Sequence, residues 1–294
     1  MYNNVSLIIS SCDAYKELVD NFLLLFKKFF KDFDGPMFST LSDDINFEDV
    51  SIKGIGIENS KKSFSDRLLI CLDKVETEYV LFFLDDFYLL KPVNIDLFNS
   101  ALDILNRDSR VKTILLHDEV GSKYVCDSNY NEYFDVKNNK TPYLCTSQAM
   151  LWRKVFFKQI IRRNESAWEF EQFGSYRMRH KKGIHLYRDD KFADAISYPY
   201  GGVCSKGKIN SKIESFKDYD FYNSLEGKIY YTPKNIKKNK VKFLFKYLLG
   251  YFYPFFSRFM NIKRYGEGTP KYVARCNSYA KYIKQEQKAK LTEV

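Results

Sequence analysis

The run Tyr79-Val80-Leu81-Phe82-Phe83-Leu84-Asp85-Asp86-Phe87 sets an unbroken apolar stretch directly against two adjacent carboxylates. Carboxylates are too costly to bury unpaired, so Asp85 and Asp86 call for a cation, a donor-rich ligand or solvent. A hard divalent ion held through oxygen ligands and shared with a diphosphate suits them. A solvated Asp-rich turn after a strand is the plainer alternative. Three other groups can do related chemistry. Ser10-Ser11-Cys12-Asp13 places small polar residues where a strand gives way to a helix, which suits contact with a nucleotide. Arg67, near the start of a helix, can hold a phosphate or simply face solvent. In the loop 199–208, Gly201-Gly202 precede Lys206 and Lys208, whose ammonium groups can meet phosphate oxygens.

A proton acceptor is offered further along, in Asn164-Glu165-Ser166-Ala167-Trp168-Glu169-Phe170-Glu171. A helix starting here presents carboxylates and an aromatic at a cleft edge, and one glutamate could take a proton from an attacking hydroxyl. Ser166 and Glu169 also spell the capping box S-x-x-E, which would employ that glutamate structurally. His117, after another apolar run, reads as a structural histidine before it reads as a ligand.

These groups need a scaffold, and the apolar pattern supplies one. A continuous run such as 79–84 is the mark of a strand buried on both faces, normal for the centre of a parallel sheet. Ligands of such sheets bind beyond the carboxyl ends of the strands. Strands are expected at 5–10, 37–41, 53–57, 79–84, 111–116, 143–152, 184–187 and 195–198. Helices are expected at 14–33, 63–75, from Asn94 as N-cap, at 153–163 and from Ser166. Residues 121–141 have little periodicity and read as a long irregular excursion. The sum is an α/β fold with a mostly parallel central sheet flanked by helices.

At 294 residues the chain can bury a full core. Its six cysteines are scattered with no C-x-x-C, which argues against structural zinc or a disulfide framework and for a reducing compartment. The apolar stretch near the N-terminus is too short for a secretory signal. Neither a G-x-G-x-x-G nor a P-loop is present. Of the 47 basic residues, ten lie between Gly227 and Gly266, where there is no acid; the remainder match the 37 acidic residues. The excess of +10 is therefore one C-terminal region. Its stretch 240–260 is rich in Phe, Tyr and Leu, and its longest uncharged run, 247–257, is far short of the roughly 20 residues needed to span a bilayer. An element lying in the headgroup layer of an anionic membrane fits this composition, and no nucleic-acid motif is present.

Taken together, VSLIISSCD, EYVLFFLDDF, WEFE and the GG-x-x-x-K-G-K loop resemble bacterial glycosyltransferases of the GT-A fold, especially family-2-like enzymes of capsule and lipopolysaccharide synthesis. The resemblance covers roughly residues 5–210. It implies a Rossmann-like transferase domain at 1–226 and a basic, aromatic, mainly helical appendage at 227–294. It implies transfer of a sugar from a nucleotide-sugar, in the first place a UDP-sugar, to a glycan or lipid-linked glycan acceptor. Asp86 with Asp85 would hold Mn²⁺ or Mg²⁺ against the donor diphosphate. Ser10, Ser11 and Asp13 would contact the nucleoside, Arg67, Lys206 and Lys208 the phosphates, and Trp168 the acceptor. Glu169, preferred over Glu171, would be the base of an inverting reaction. The enzyme would work from the cytoplasm, peripheral on the inner membrane face. Two departures are visible: Leu-Asp-Asp-Phe stands in place of a strict D-x-D, and E-F-E in place of an E-D pair. A nucleotidyltransferase and a non-catalytic membrane-surface adaptor are the rival readings. SSCDAYKEL lacks the glycine-rich stretch the former would show.

Overall fold

The computed structural model describes residues 2–48, 50–58, 62–117, 126–137, 143–188, 194–205 and 207–230. Ten strands form one sheet in the order β3-β4-β2-β1-β5-β9-β6-β10-β8-β7. They are β1 (Val5–Ser10), β2 (Met37–Ser39), β3 (Ile45–Phe47), β4 (Val50–Lys53), β5 (Tyr79–Leu84), β6 (Val111–Leu115), β7 (Cys126–Asn129), β8 (Phe134–Lys137), β9 (Met150–Arg153) and β10 (Ile184–Arg188). The block β4-β2-β1-β5 is parallel throughout, and β6 and β10 run the same way. Only β3, β9 and β8 oppose the rest. The expected α/β architecture, a mostly parallel sheet between helices, is what the chain forms.

The alternation of β5 explains why it sits at the centre. Leu81 and Phe83 point to one face, where they meet α1 (Lys16–Phe29) and α3 (Ile95–Arg107); Phe22 and Phe83 rings pack at 5.2 Å. Val80 and Phe82 point to the other, against α2 (Phe64–Lys74), α4 (Lys154–Ile160) and α5 (Ala167–Arg179); Phe82 meets Phe157 at 5.5 Å. Each such ring removed from water contributes about 1.5–3 kcal/mol, so both helical layers are fixed on this strand. The helices α2 and α3 begin where the sequence predicts. Ser63 caps α2 through the Asp66 N–H at 3.1 Å, and Asn94 caps α3 through the Leu97 N–H at 3.1 Å.

Several boundaries differ from expectation. The helix read at 14–33 starts with a 3₁₀ turn at Asp13–Tyr15 and stops at Phe29. The strand read at 53–57 lies earlier, as β4, paired with the unforeseen β3. Glycine explains the shift: a Cβ on Gly54 would fall 2.2 Å from the Asp43 carbonyl, and Gly56 turns at φ +73. Within 121–141 there is a hairpin of β7 and β8, closed by Asn131, whose Oδ1 accepts from the Tyr133 and Phe134 N–H groups at 2.9 Å each. Only Met150–Arg153 of the span 143–152 is strand, and 195–198 is irregular. In that segment the Ile196 N–H reaches Leu116 while Ala195 and Ser197 carbonyls accept from Asn94 and Leu90, so no single partner strand is followed. After it come β11 (Cys204–Ser205), β12 (Lys208–Ile209) and the short α6 (Tyr222–Leu225). The aromatic region 240–260 lies outside the described residues, as does Lys206.

Candidate functional site

Parallel pairing of β1 with β5 sets Ser10 opposite Leu84, so the two chains leave the sheet side by side. The Asp85 N–H donates to the Ser10 carbonyl at 3.3 Å, and the Ser11 hydroxyl donates to Asp85 Oδ2 at 2.5 Å. Thr40, just beyond β2, exchanges two 2.7 Å hydrogen bonds with the Ser11 main chain through its hydroxyl. Further out, Asp13 accepts from the Ser42 N–H at 2.9 Å and the Ser42 hydroxyl at 2.6 Å. The carboxyl ends of three adjacent parallel strands are thus joined by Ser11 and Asp13, singled out in the sequence, together with Thr40 and Ser42. Asp44, beside Asp43 beyond β2, braces a turn, accepting from the Gly54 N–H at 2.8 Å and Lys53 Nζ at 3.0 Å.

Asp85 is 9% exposed and Asp86 7%. Burial pushes the Asp85 carboxyl up to about 7, against the opposing pull of the Ser11 hydroxyl and of Arg67. Arg67, in the first turn of α2, donates from Nη1 to the Lys62 carbonyl at 2.8 Å. Its buried Nε has no hydrogen-bond partner among the described residues. Burial lowers its pKa, and Cys12, Asp85 and Asp13 pull it back up, so its charge lies within reach of Asp85.

Asp86 is held by different groups. Its carbonyl accepts from the Val203 N–H at 3.0 Å and its Oδ2 from the Cys204 N–H at 3.2 Å. Gly201 and Gly202 both turn at φ +69, a left-handed conformation that favours glycine. The glycine loop and the acid pair, 115 residues apart in sequence between Asp86 and Gly201, are therefore one structure. Lys208 lies exposed on β12, paired with Ser205.

Two tyrosines that sequence reasoning did not select stand at this site. Tyr15 and Tyr230 pack edge to face at 5.0 Å. The Tyr15 hydroxyl is pushed up to about 12 by burial and then by Cys204, Cys12 and both acids. The Tyr230 hydroxyl donates to Glu17 Oε2 at 3.2 Å, an oxygen that Lys228 also meets. Beneath the acids, Phe87 stacks on Tyr198 at 4.4 Å and Tyr198 on His117 at 3.8 Å. His117 Nδ1 lies 3.0 Å from the Ile196 carbonyl and 3.4 Å from Asp194 Oδ2, the contacts of a structural histidine.

The helix-start glutamates part company. Glu169 Oε2 accepts from the Ser166 N–H at 2.9 Å and its hydroxyl at 3.0 Å, completing the capping box of α5. Glu171 Oε1 accepts from the Ser147 N–H at 2.8 Å, the Ser147 hydroxyl at 2.7 Å and Thr146 Oγ1 at 3.3 Å. Because β9 runs against β5 with Met150 opposite Phe82, residues 146–147 lie at the carboxyl edge of β5 and carry Glu171 there. Trp168 is 67% exposed in the first turn of α5.

The donor set fits a hard divalent cation. Two buried carboxylates supply oxygen only, one of them is left with its charge poorly compensated, and a magnesium-type ion needs one or two carboxylates beside the phosphates it carries. No cluster of three or more His, Cys, Asp or Glu occurs among the described residues.

No protein-family model and no curated protein matches the sequence. Among solved structures, S. aureus TarS 1-349 is similar at 12% identity, with 84% of this chain and 79% of that one covered and a TM-score of 0.48. Of the longer S. aureus TarS chain this protein spans 35%, at 13% identity over 64% of its own length with a TM-score of 0.42. A Drosophila β1,4-galactosyltransferase 7 mutant, in complex with manganese, UDP-Gal and xylobiose, is similar at 13% identity, with coverage of 72% and 78% and a TM-score of 0.36.

Proposed function

We propose that this chain is a GT-A-type glycosyltransferase that moves a sugar from a nucleotide-sugar, in the first place a UDP-sugar, to a hydroxyl of a glycan or lipid-linked glycan in bacterial surface-polysaccharide synthesis. The supporting observation is the buried pair Asp85 and Asp86 at the carboxyl edge of the central strand, framed by Ser11, Arg67 and the glycine loop. That edge is where open α/β sheets bind ligands.

In this reading Ser10, Ser11 and Asp13 meet the nucleoside, and Arg67 offers its buried, unpaired Nε–H to a phosphate oxygen. Lys206 and Lys208 would supply ammonium groups to the diphosphate. Asp85, beside Asp86, would hold Mn²⁺ or Mg²⁺, which would neutralise charge on the departing diphosphate. The acceptor sugar rests against Trp168. Its hydroxyl oxygen bonds to the anomeric carbon, the bond from that carbon to the diphosphate oxygen breaks, and the hydroxyl proton passes to a carboxylate of α5. Glu171 suits this task better than Glu169, because Ser147 fixes it at the sheet edge whereas Glu169 folds back on its own helix start. Attack from the face opposite the leaving group inverts the anomeric centre. Residues 227–294 would rest on the anionic inner face of the cytoplasmic membrane. No described helix is long and apolar enough to cross a membrane.

Calorimetric titration with UDP, GDP, CDP and CMP, with and without Mn²⁺, tests this reading. Manganese-dependent binding of one nucleoside diphosphate, lost in Asp85→Asn, is the expected result. A folded protein that binds none of the four would overturn it.

A further inference from the structure

We infer that Asp86 is a positioning residue: its carbonyl and carboxylate together clasp the turn at residues 201–204 over the acid pair, leaving Asp85 as the carboxylate that meets the donor. The division of labour rests on the proposed function, while the clasp stands without it.

The two acids differ in what they hold. Asp85 accepts from a rotatable hydroxyl, that of Ser11, which can turn aside for a ligand. Asp86 accepts from two successive main-chain N–H groups, those of Val203 and Cys204, which cannot turn aside unless the loop itself moves. Gly202 sits hard against the same carboxylate. A Cβ there would lie 2.1 Å from Oδ2, 2.5 Å from Cγ and 2.9 Å from Oδ1 of Asp86. Gly201 shares the φ of +69, yet a Cβ on it would meet only the flexible Lys212 ammonium at 3.3 Å. Gly202 is thus required twice, by its backbone conformation and by the carboxylate, and Gly201 once. Asn210 closes the turn from behind, its N–H donating to the Val203 carbonyl at 2.9 Å and its Nδ2 to the Gly202 carbonyl at 3.2 Å.

From the clasp the chain runs through β11 and β12, and β12 is bridged to Ile229. The Tyr230 N–H donates to the Gly207 carbonyl at 2.7 Å, and Lys228 and Tyr230 then reach Glu17 at the start of α1. The segment is a strap with one end on Asp86 and the other on α1, and Lys208 rides on it. Asparagine at position 86 retains a carbonyl oxygen for the Cys204 N–H, whereas alanine does not.

Amide hydrogen exchange at Val203 and Cys204 in the full-length, ligand-free protein tests the clasp, with Mn²⁺–UDP titration alongside. Asp86→Ala, which keeps the main-chain carbonyl that Val203 uses, is expected to exchange the Cys204 amide about tenfold faster or more, the size of effect for a charge-assisted hydrogen bond, and Gly202→Ala is expected to speed both amides. Asp86→Asn should remain close to wild type in exchange, and Gly201→Ala should open the turn less than Gly202→Ala. In the titration, Asp86→Ala should weaken UDP binding well beyond Asp86→Asn, while Asp85→Asn removes the manganese dependence. Wild-type protection of the Cys204 amide in Asp86→Ala would overturn the clasp. Equal loss of manganese dependence in Asp86→Asn and Asp86→Ala would overturn the division of labour and make Asp86 a metal ligand. Should Asp86→Ala fail to fold, the comparison of Asp86→Asn with Gly202→Ala decides. A wild type with the expected exchange pattern but no affinity for any nucleotide supports the clasp and removes the transferase reading.

Discussion

Asp85 carries the sharpest conflict between stability and use. Its carboxyl is raised from 3.8 to about 7, chiefly by burial. Below about pH 4 it is protonated folded or unfolded. As the pH rises from there through about 7, the folded chain keeps a proton that the unfolded chain releases, so stability falls across that window. Asp85→Asn removes the buried charge and should raise the thermal midpoint at pH 8, without metal, by about 4 °C or more. The gain should vanish near pH 4. Calorimetric scans at the two pH values check this, and a lowered midpoint at pH 8 would show that the charge is already compensated. Mn²⁺ with UDP should raise the wild-type midpoint at pH 8 and leave Asp85→Asn unmoved. This conflict is also why the acid pair was legible in the sequence: two charges at the end of an apolar strand contradict burial and ask for a reason. Tyr15, Thr40 and Tyr230 carried no such contradiction. In a chain with 23 tyrosines, one more near a helix start is ordinary, and only the pairing of β1 with β2 and the return of the strap bring these residues to the acids.

At the scale of elements, a buried ion pair at the start of α5 helps to join that helix to α2. Arg177 donates through both terminal nitrogens to Glu165 at 2.7 Å each, with both side chains buried. Glu165 in turn exchanges main-chain bonds with Ser65 at the start of α2: the Glu165 N–H donates to Ser65 Oγ at 2.8 Å and the Ser65 N–H to the Glu165 carbonyl at 3.1 Å. The helix that brings Arg67 and the helix that brings Glu171 are therefore docked on one another. Arg177→Met strands a buried carboxylate and should cost about 3–5 kcal/mol in urea denaturation. Breaking the exposed Lys158–Asp73 pair should cost less than about 1 kcal/mol. Equal costs would mean that solvent reaches Glu165. Ser166→Ala removes the cap of α5 and should lose about 1 kcal/mol. That cap was readable because its partners are three residues apart, whereas Glu171 owes its place to Ser147, 24 residues away on the approach to β9. The same distinction separates the elements read correctly from those misplaced. Central β5 announces itself by an unbroken apolar run and β1 by Leu7-Ile8-Ile9, while β3 and β7 at the sheet edges and β8 beside β7 are short strands with polar residues and no such signature.

For the whole molecule, the question is where the folded body gives way to the basic region. Composition changes at Gly227, yet the packing continues past it, since Lys228 and Tyr230 hold Glu17 and the Ile209 N–H donates to the Lys228 carbonyl at 3.0 Å. The strap therefore needs these residues to keep its far anchor, and the ten-residue basic excess that begins at Lys228 starts inside the fold. Two truncations separate the roles. A chain ending at Tyr230 retains every described contact and should match the full-length protein in Mn²⁺-dependent nucleotide affinity, while losing sedimentation with vesicles rich in anionic lipid. A chain ending at Leu225 loses the Glu17 anchor as well, and should bind nucleotide more weakly and exchange the amides at 207–210 faster. Vesicle binding undiminished in the chain ending at Tyr230 would place membrane affinity on the folded body. Nucleotide affinity lost at Tyr230 would instead show that residues beyond it complete the donor site, and only the longer truncation's effect on exchange would then report on the strap.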